Sequence, residues 1–201
     1  MSAFPSTFAR SVFVATAAVS VAGCGINSIP TAEEQAKAKW ADVQAAFQER
    51  ANLYGNLAAI VKAAGANEKG ILVDVTNARA SATKVQLNPG DLNDPAKMKA
   101  FQDAQSQLGA GLGRLLVTAE AYPNIKSNEN YLTLQSQIEG SENRIRVALR
   151  DYNEAVRQYN TEIRTFPSAI GAKVIYGSKP MVPYQAITPG AEVAPSLDGK
   201  I

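Results

Sequence analysis

Bulky apolar residues return every seventh position through the C-terminal half of the chain. They are Tyr131, Ile138, Ile145, Tyr152, Tyr159 and Phe166, with Leu134, Leu149, Val156 and Ile163 beside them. Residues so spaced lie along one side of an α-helix, so the pattern predicts a helix from Asn128 to Thr165 with one continuous apolar seam. Ser127 is its expected cap, Glu129 favours its first turn, and Pro167 stops it. The spacing recurs upstream. Trp40, Phe47, Tyr54 and Val61, supported by Val43 and Leu57, predict a first helix. It begins near Ala32 behind a Thr31–Glu34 capping box and fades around Gly65. Ile71, Val75, Ala78, Ala82 and Val85 predict a second helix over 68–86. Asp94 and Pro95 cap and open a third, which carries Phe101, Leu108, Leu115 and Tyr122 and ends at Pro123. Gly109, Gly111 and Gly113 in its middle imply close backbone packing or a bend. A glycine-rich phosphate loop would need a strand–turn–helix context that this stretch lacks.

Each seam needs a partner to leave water, and short connections favour antiparallel neighbours. The pattern therefore predicts an all-α fold: a long antiparallel (up-and-down) four-helix bundle over residues 31–180, followed by a flexible C-terminal tail. The first and last helices are the longest and are expected to pack together. The short apolar stretch Val174–Tyr176 is expected to fold back on an end of the bundle. Residues 181–201 carry Pro183, Pro189 and Pro195 and few bulky apolar groups, too few to order a segment by burial.

Arg50 falls on the flank of the first seam. A long Arg there either snorkels into water, the commoner outcome, or pairs with a carboxylate on a neighbouring helix, for which Glu142 is the candidate. Composition narrows the chemistry. The formal net charge is +2, too balanced to point to nucleic acid. Histidine is absent and Cys24 is the only cysteine. Those absences remove an imidazole base, a Cys–His pair and an imidazole or multi-thiolate metal site, so no catalytic residue, metal or cofactor is assigned.

The N-terminus reads as a secretory signal over residues 1–23: Arg10, then an uncharged run from Ser11 to Gly23 that is short for a spanning helix. Val21-Ala22-Gly23-Cys24 resembles a bacterial lipobox. That resemblance implies cleavage between Gly23 and Cys24, a diacylglycerol thioether on Cys24 and acylation of its amino group. Two or three acyl chains hold a protein firmly where one binds only marginally. Residues 24–30 would then form a tether. Gly25 in place of Asp leans, by analogy with lipoprotein sorting, towards an outer membrane if the cell has one, and otherwise towards the cell membrane.

Further motifs carry a family resemblance. Ala121-Tyr122-Pro123, Lys126-Ser127-Asn128-Glu129-Asn130, Ser141-Glu142-Asn143-Arg144-Ile145 and above all the run from Asp151 to Pro167 resemble the LemA family. The Trp40 helix with Arg50, Leu53, Asn56 and Leu57 matches more loosely, as does Asn77-Ala78-Arg79-Ala80, and the resemblance covers Trp40 to Pro180. It departs in having Gly55 where the family usually has Pro, no His after the first helix, and a lipobox where a spanning helix is usual. The resemblance implies a long helical bundle held at an envelope membrane, and it implies no catalytic residues.

Two polar groupings remain. Tyr152, Tyr159, Asn153 and Asn160 could line a ligand groove, but such rings more often pack in the seam while their hydroxyls find partners at its edge. Arg150, Arg157 and Arg164 recur every seven residues opposite the seam. They are candidate contacts for an anionic surface, although a solvated face supported by Glu154 is the commoner role of such a stripe. The function expected from the sequence is a non-enzymatic envelope lipoprotein acting as a scaffold or interaction module, attached to the membrane by its lipid, with an envelope protein as the candidate partner. A binding protein for an apolar or lipid ligand between the helices is the alternative. A hydrolase would need convergent carboxylates that the spacing does not identify.

Overall fold

The computed structural model describes residues 27–63 and 69–185. The expected signal peptide and lipobox, the stop expected at Gly65 and the expected tail beyond Gln185 lie outside the described residues. Within them the chain is all-helical, with no strand. The α-helices are α1 Ser28–Ala63, α2 Lys69–Lys84, α3 Pro95–Ala121, the single turn α4 Pro123–Lys126, α5 Glu129–Glu162 and the single turn α6 Ser168–Gly171, which runs into a π-helical turn at Ala172–Tyr176. As expected, α1 and α5 are the longest, at 36 and 34 residues.

Local chemistry sets the ends. Asp94 caps α3 by accepting from the Ala96 and Lys97 amides at 2.9 and 3.2 Å, and Pro95 follows, as the sequence indicates. Two caps differ from expectation. Helix α1 begins at Ser28, ahead of the expected capping box, and the Thr31 hydroxyl donates to the Asn27 carbonyl at 2.8 Å. Pro30 is tolerated there because the first turn of a helix leaves its N–H groups unpaired anyway. At α5 the cap is Asn128, whose side chain accepts from the Asn130 amide at 2.9 Å, while Ser127 donates to Pro123 of the preceding turn.

Two compact units divide the chain: residues up to Val43 with Ala148–Pro183, and Gln44–Val147 with the residues from Tyr184. Helices α1 and α5 each contribute to both. In the larger unit Tyr54, Leu57 and Val61 of α1, Val75 and Ala82 of α2, Leu108, Leu112 and Leu115 of α3, and Tyr131, Leu134 and Ile138 of α5 form one buried cluster. Each such large side chain, moved out of water, stabilises the fold by roughly 1.5–3 kcal/mol. The glycines of α3 are explained in part by this packing. A Cβ on Gly111 would lie 3.5 Å from Val75 Cγ2 and 4.0 Å from Ala78 Cβ, so α2 lies close against α3 there. Gly113 faces open space.

In the smaller unit Trp40 packs on Tyr152 with ring centroids 5.0 Å apart, and both are buried along with Ile29, Ala36, Val156 and Tyr159. Glu162 closes the end of α5 by accepting from the Ser168 hydroxyl at 2.6 Å and from the Ser28 hydroxyl at the start of α1. Those two hydrogen bonds, Ser168 first, hold its carboxyl below the ordinary range.

Three expectations about the end of the chain need correction. Phe166 continues the heptad in sequence but is 82% exposed, because α5 ends at Glu162 and the backbone has turned before it. Val174, Ile175 and Tyr176 do not fold under the other helices; all three are exposed. Met181, the first residue of the expected tail, is buried.

Gly113→Ala is expected to raise the unfolding free energy by about 0.5–1 kcal/mol. Gly111→Leu, which must push Val75 and Ala78 aside, should lower it by about 1–3 kcal/mol. Urea denaturation followed by circular dichroism distinguishes the two.

Candidate functional site

Two polar centres are built into the helices, one in each unit. The first surrounds Arg50. Its position on the edge of an apolar seam brings the guanidinium inside, where only 7% of the residue remains exposed. The outward orientation, the commoner one for such an Arg, is therefore not adopted. Arg50 Nη2 donates to both the backbone carbonyl and the side-chain oxygen of Gln105, each at 3.0 Å. Nη1 reaches Glu142 at 3.5 Å, so the carboxylate partner is the one indicated by the sequence, but the shorter contacts are to Gln105 on α3. Gln105 in turn donates to the Ala82 carbonyl of α2 at 3.4 Å. The guanidinium also lies 4.8 Å from the Phe47 ring centroid and 5.7 Å from that of Tyr54, within the range where a cation is attracted to a ring face.

Tyr54 completes the centre by donating to Glu142 at 3.3 Å. Burial drives its phenol well above the ordinary range against the opposing pull of Arg50, so it stays a neutral donor. Tyr184 is likewise pushed up by burial, and its ring stands 6.1 Å from Phe47. A half-open groove of about 300 Å³ runs beside the centre, lined by Phe47, Ala51, Ala82, Val85, Phe101 and Gln105. Sequence reasoning found Arg50 and Glu142 and missed Gln105. A Gln among apolar positions of α3, one turn from Gly109, was the available signal.

Arg50→Ala is expected to lower the unfolding free energy by about 2–4 kcal/mol, because it strands the oxygens of Gln105 and leaves a void. Glu142→Gln should cost less than about 1 kcal/mol, since Glu142 is half exposed and its pair is screened. Urea titration of the two variants checks the order.

The second centre lies at the edge of the Trp40–Tyr152 seam. Asn160 grips the backbone of Met181 at both groups: its Nδ2 donates to the Met181 carbonyl at 2.8 Å, and its Oδ1 accepts from the Met181 amide at 2.9 Å. The Tyr159 hydroxyl donates to the Lys179 carbonyl at 3.1 Å and the Tyr152 hydroxyl to the Val182 carbonyl at 2.9 Å. The rings thus pack in the seam and the hydroxyls find partners at its edge, the commoner of the two arrangements. The partner is the chain's own strap, Ser178–Pro183, which follows Gly177, whose φ of +58° makes the turn. Burial raises the phenols of Tyr152 and Tyr159, so both remain protonated donors. The heptad marked these side chains; nothing in it named the strap.

Asn160→Ala removes two backbone bonds at once. Protection of the Met181 amide against hydrogen exchange should fall by about tenfold or more, while amides in the middle of α5 keep theirs.

The basic stripe is divided by its surroundings. Arg150 pairs with Asp151 at 3.1 Å and lines a groove with Gln35, Lys39 and Glu154. Arg157 pairs with Glu154, its Nε at 2.9 Å. Arg157 and Arg164 share another groove with Asn153 and Asn160, closed on one side by Pro183. Arg164 has no ion-pair partner among the described residues. Gly23 and Cys24 lie outside them. No group of His, Cys, Asp and Glu able to hold a metal ion occurs among the described residues. No helix among them is long and apolar enough to cross a membrane.

Long apolar-seamed helices with one buried guanidinium centre and one backbone-gripping Asn define an all-helical protein whose built polar groups bind its own chain. It belongs to the LemA family, whose model matches residues 39–198. Relatives include Magnetosome protein MamQ 2 of Paramagnetospirillum magneticum, 30% identical over 70% of this chain and 58% of that protein. Magnetosome protein MamQ of Magnetospirillum gryphiswaldense is 27% identical over the same shares. Protein LemA of Metamycoplasma hominis is 27% identical over 49% of this chain and 41% of its own length. The chain therefore spans little more than half of the curated relatives it matches.

Proposed function

We infer that this LemA-family chain is an envelope lipoprotein, tethered through Cys24, that works as a helical scaffold or interaction module rather than as an enzyme. In this reading the helices form an up-and-down bundle and the site is the bacterial cell envelope. The observation that carries it is the occupation of the polar seam edge: Tyr152, Tyr159 and Asn160, the side chains best suited to a ligand, all bind the strap at Lys179–Val182. Packing of Trp40 on Tyr152 fills the space beneath, where a carried apolar ligand would otherwise lie. The sequence Val21-Ala22-Gly23-Cys24 supports the tether, and two or more acyl chains supply the hold that one cannot.

Metabolic labelling with a palmitate analogue tests the tether. The wild-type chain should take up label and sediment with membranes, whereas Cys24→Ser should lose both. Equal labelling of the variant, or a mature N-terminus other than Cys24, would falsify it. A stoichiometric lipid retained in native mass spectrometry of the detergent-purified protein would favour the carrier alternative instead.

A further inference from the structure

The exposed apolar residues of the smaller unit are gathered at one place. Phe166, Ile170, Val174, Ile175 and Tyr176 all lie within eleven residues, and Phe166 and Val174 are 82% and 77% exposed. Water-facing side chains of this size, concentrated in one short helical run, need a covering surface. The charge around them has one sign. Arg164, Lys173 and Lys179 are exposed, and none has an ion-pair partner among the described residues. No Asp or Glu occurs between Glu162 and Glu192. On α5 itself Arg144, Arg150 and Arg157 each hold a carboxylate, and Arg146 donates to Asn143.

Position supplies the second line. Glu162 and Ser168, which bracket the start of this run, are tied to each other, and Glu162 is tied to Ser28 at the start of α1. Only three residues separate Ser28 from Cys24, so the chain can carry the Cys24 Cα at most about 14 Å from that of Ser28. A bilayer that holds the acyl groups of Cys24 must therefore lie close to the Ser28–Glu162–Ser168 junction, and so to the apolar, basic run beside it.

We propose that residues 164–179 form a second membrane contact, in which Phe166, Ile170, Val174 and Ile175 enter the headgroup boundary of an anionic leaflet and Arg164, Lys173 and Lys179 face its phosphates. The inference rests on the tether through Cys24. It fits the chemistry of interfacial segments, which combine bulky apolar groups, an aromatic with a polar tip and unpaired cations. It also narrows the basic stripe to Arg164, just past the end of α5. A shallow second contact fixes the orientation of the helices against the bilayer, which a flexible lipid tether alone leaves free.

The test uses the full chain with its own leader, produced in bacteria and reconstituted into vesicles of phosphatidylethanolamine and phosphatidylglycerol. Intact mass first establishes acylation of Cys24. A single added cysteine is labelled with the environment-sensitive fluorophore NBD at position 174 (Val174→Cys), or at the exposed Val117 of α3 as control (Val117→Cys). The label at 174 should shift to the blue and be quenched at least twofold by lipids carrying a nitroxide near the headgroup; the label at 117 should do neither. Adding Arg164→Glu, Lys173→Glu and Lys179→Glu should reduce the shift at 174. A water-exposed label at 174 on chain that floats with the vesicles overturns the contact and leaves the tether standing. Equal shifts at 174 and 117 also overturn it. A free Cys24 thiol on chain that does not float overturns the tether, and this inference with it.

Discussion

A positive charge withdrawn from water constrains the helices around it. The Arg50 guanidinium carries five N–H donors and no acceptor, so the helices that enclose it must present acceptors or ring faces. Gln105 of α3 supplies two oxygens, Glu142 of α5 a carboxylate, and Phe47 and Tyr54 of α1 their rings. Gln105 carries the link on to α2 through Ala82. Apolar seams are tolerant of sliding and rotation by small steps; hydrogen bonds from a buried fork are not. The guanidinium thus selects one register from the several that the Leu- and Tyr-rich seams would accept. One Arg50 N–H, at Nε, remains buried without a partner, a cost that the surrounding contacts must offset.

The same logic appears in the smaller unit with neutral groups. A tyrosine in a helical seam brings an apolar ring and a hydroxyl that must be satisfied, and two such residues seven apart place both hydroxyls along one edge. Main-chain groups of a segment outside any helix meet that edge well, because its amides and carbonyls are free of helical partners. Asn160 binds both the donor and the acceptor of Met181, so its recognition reads backbone rather than side chain. The only side chain of the strap that is well buried is Met181, a residue that adapts to irregular space.

The helices were legible in the sequence because heptad spacing reports burial directly: Tyr131, Ile138, Ile145, Tyr152 and Tyr159 are all buried. Phe166 shows the limit of that signal. Spacing says where a residue would point if the helix continued, and it does not say that the helix stops at Glu162. The carboxylate partner of Arg50 was legible from two flanking positions on facing seams. Gln105 was not, since a neutral side chain leaves no charge to match. From Met181 on, the strap has the composition of a tail because what holds it is side-chain hydrogen bonding to its backbone and a single buried Met, neither of which raises its hydrophobicity. Val174–Tyr176 misleads in the opposite direction: its apolar composition suggests a segment folded back on an end of the bundle, while its place after α6 leaves it exposed.

The tie between Ser28, Glu162 and Ser168 has a mechanical consequence. Any pull transmitted along the leading residues enters the described fold at Ser28, and the first side-chain bond across to another helix that it meets is the one to the Glu162 carboxylate. That carboxylate is held from its other side by Ser168, so load is passed to the end of α5 instead of peeling the first turn of α1 from its neighbours. A load applied at Ser28 is thus shared between the start of one long helix and the end of another, where two bonds resist together.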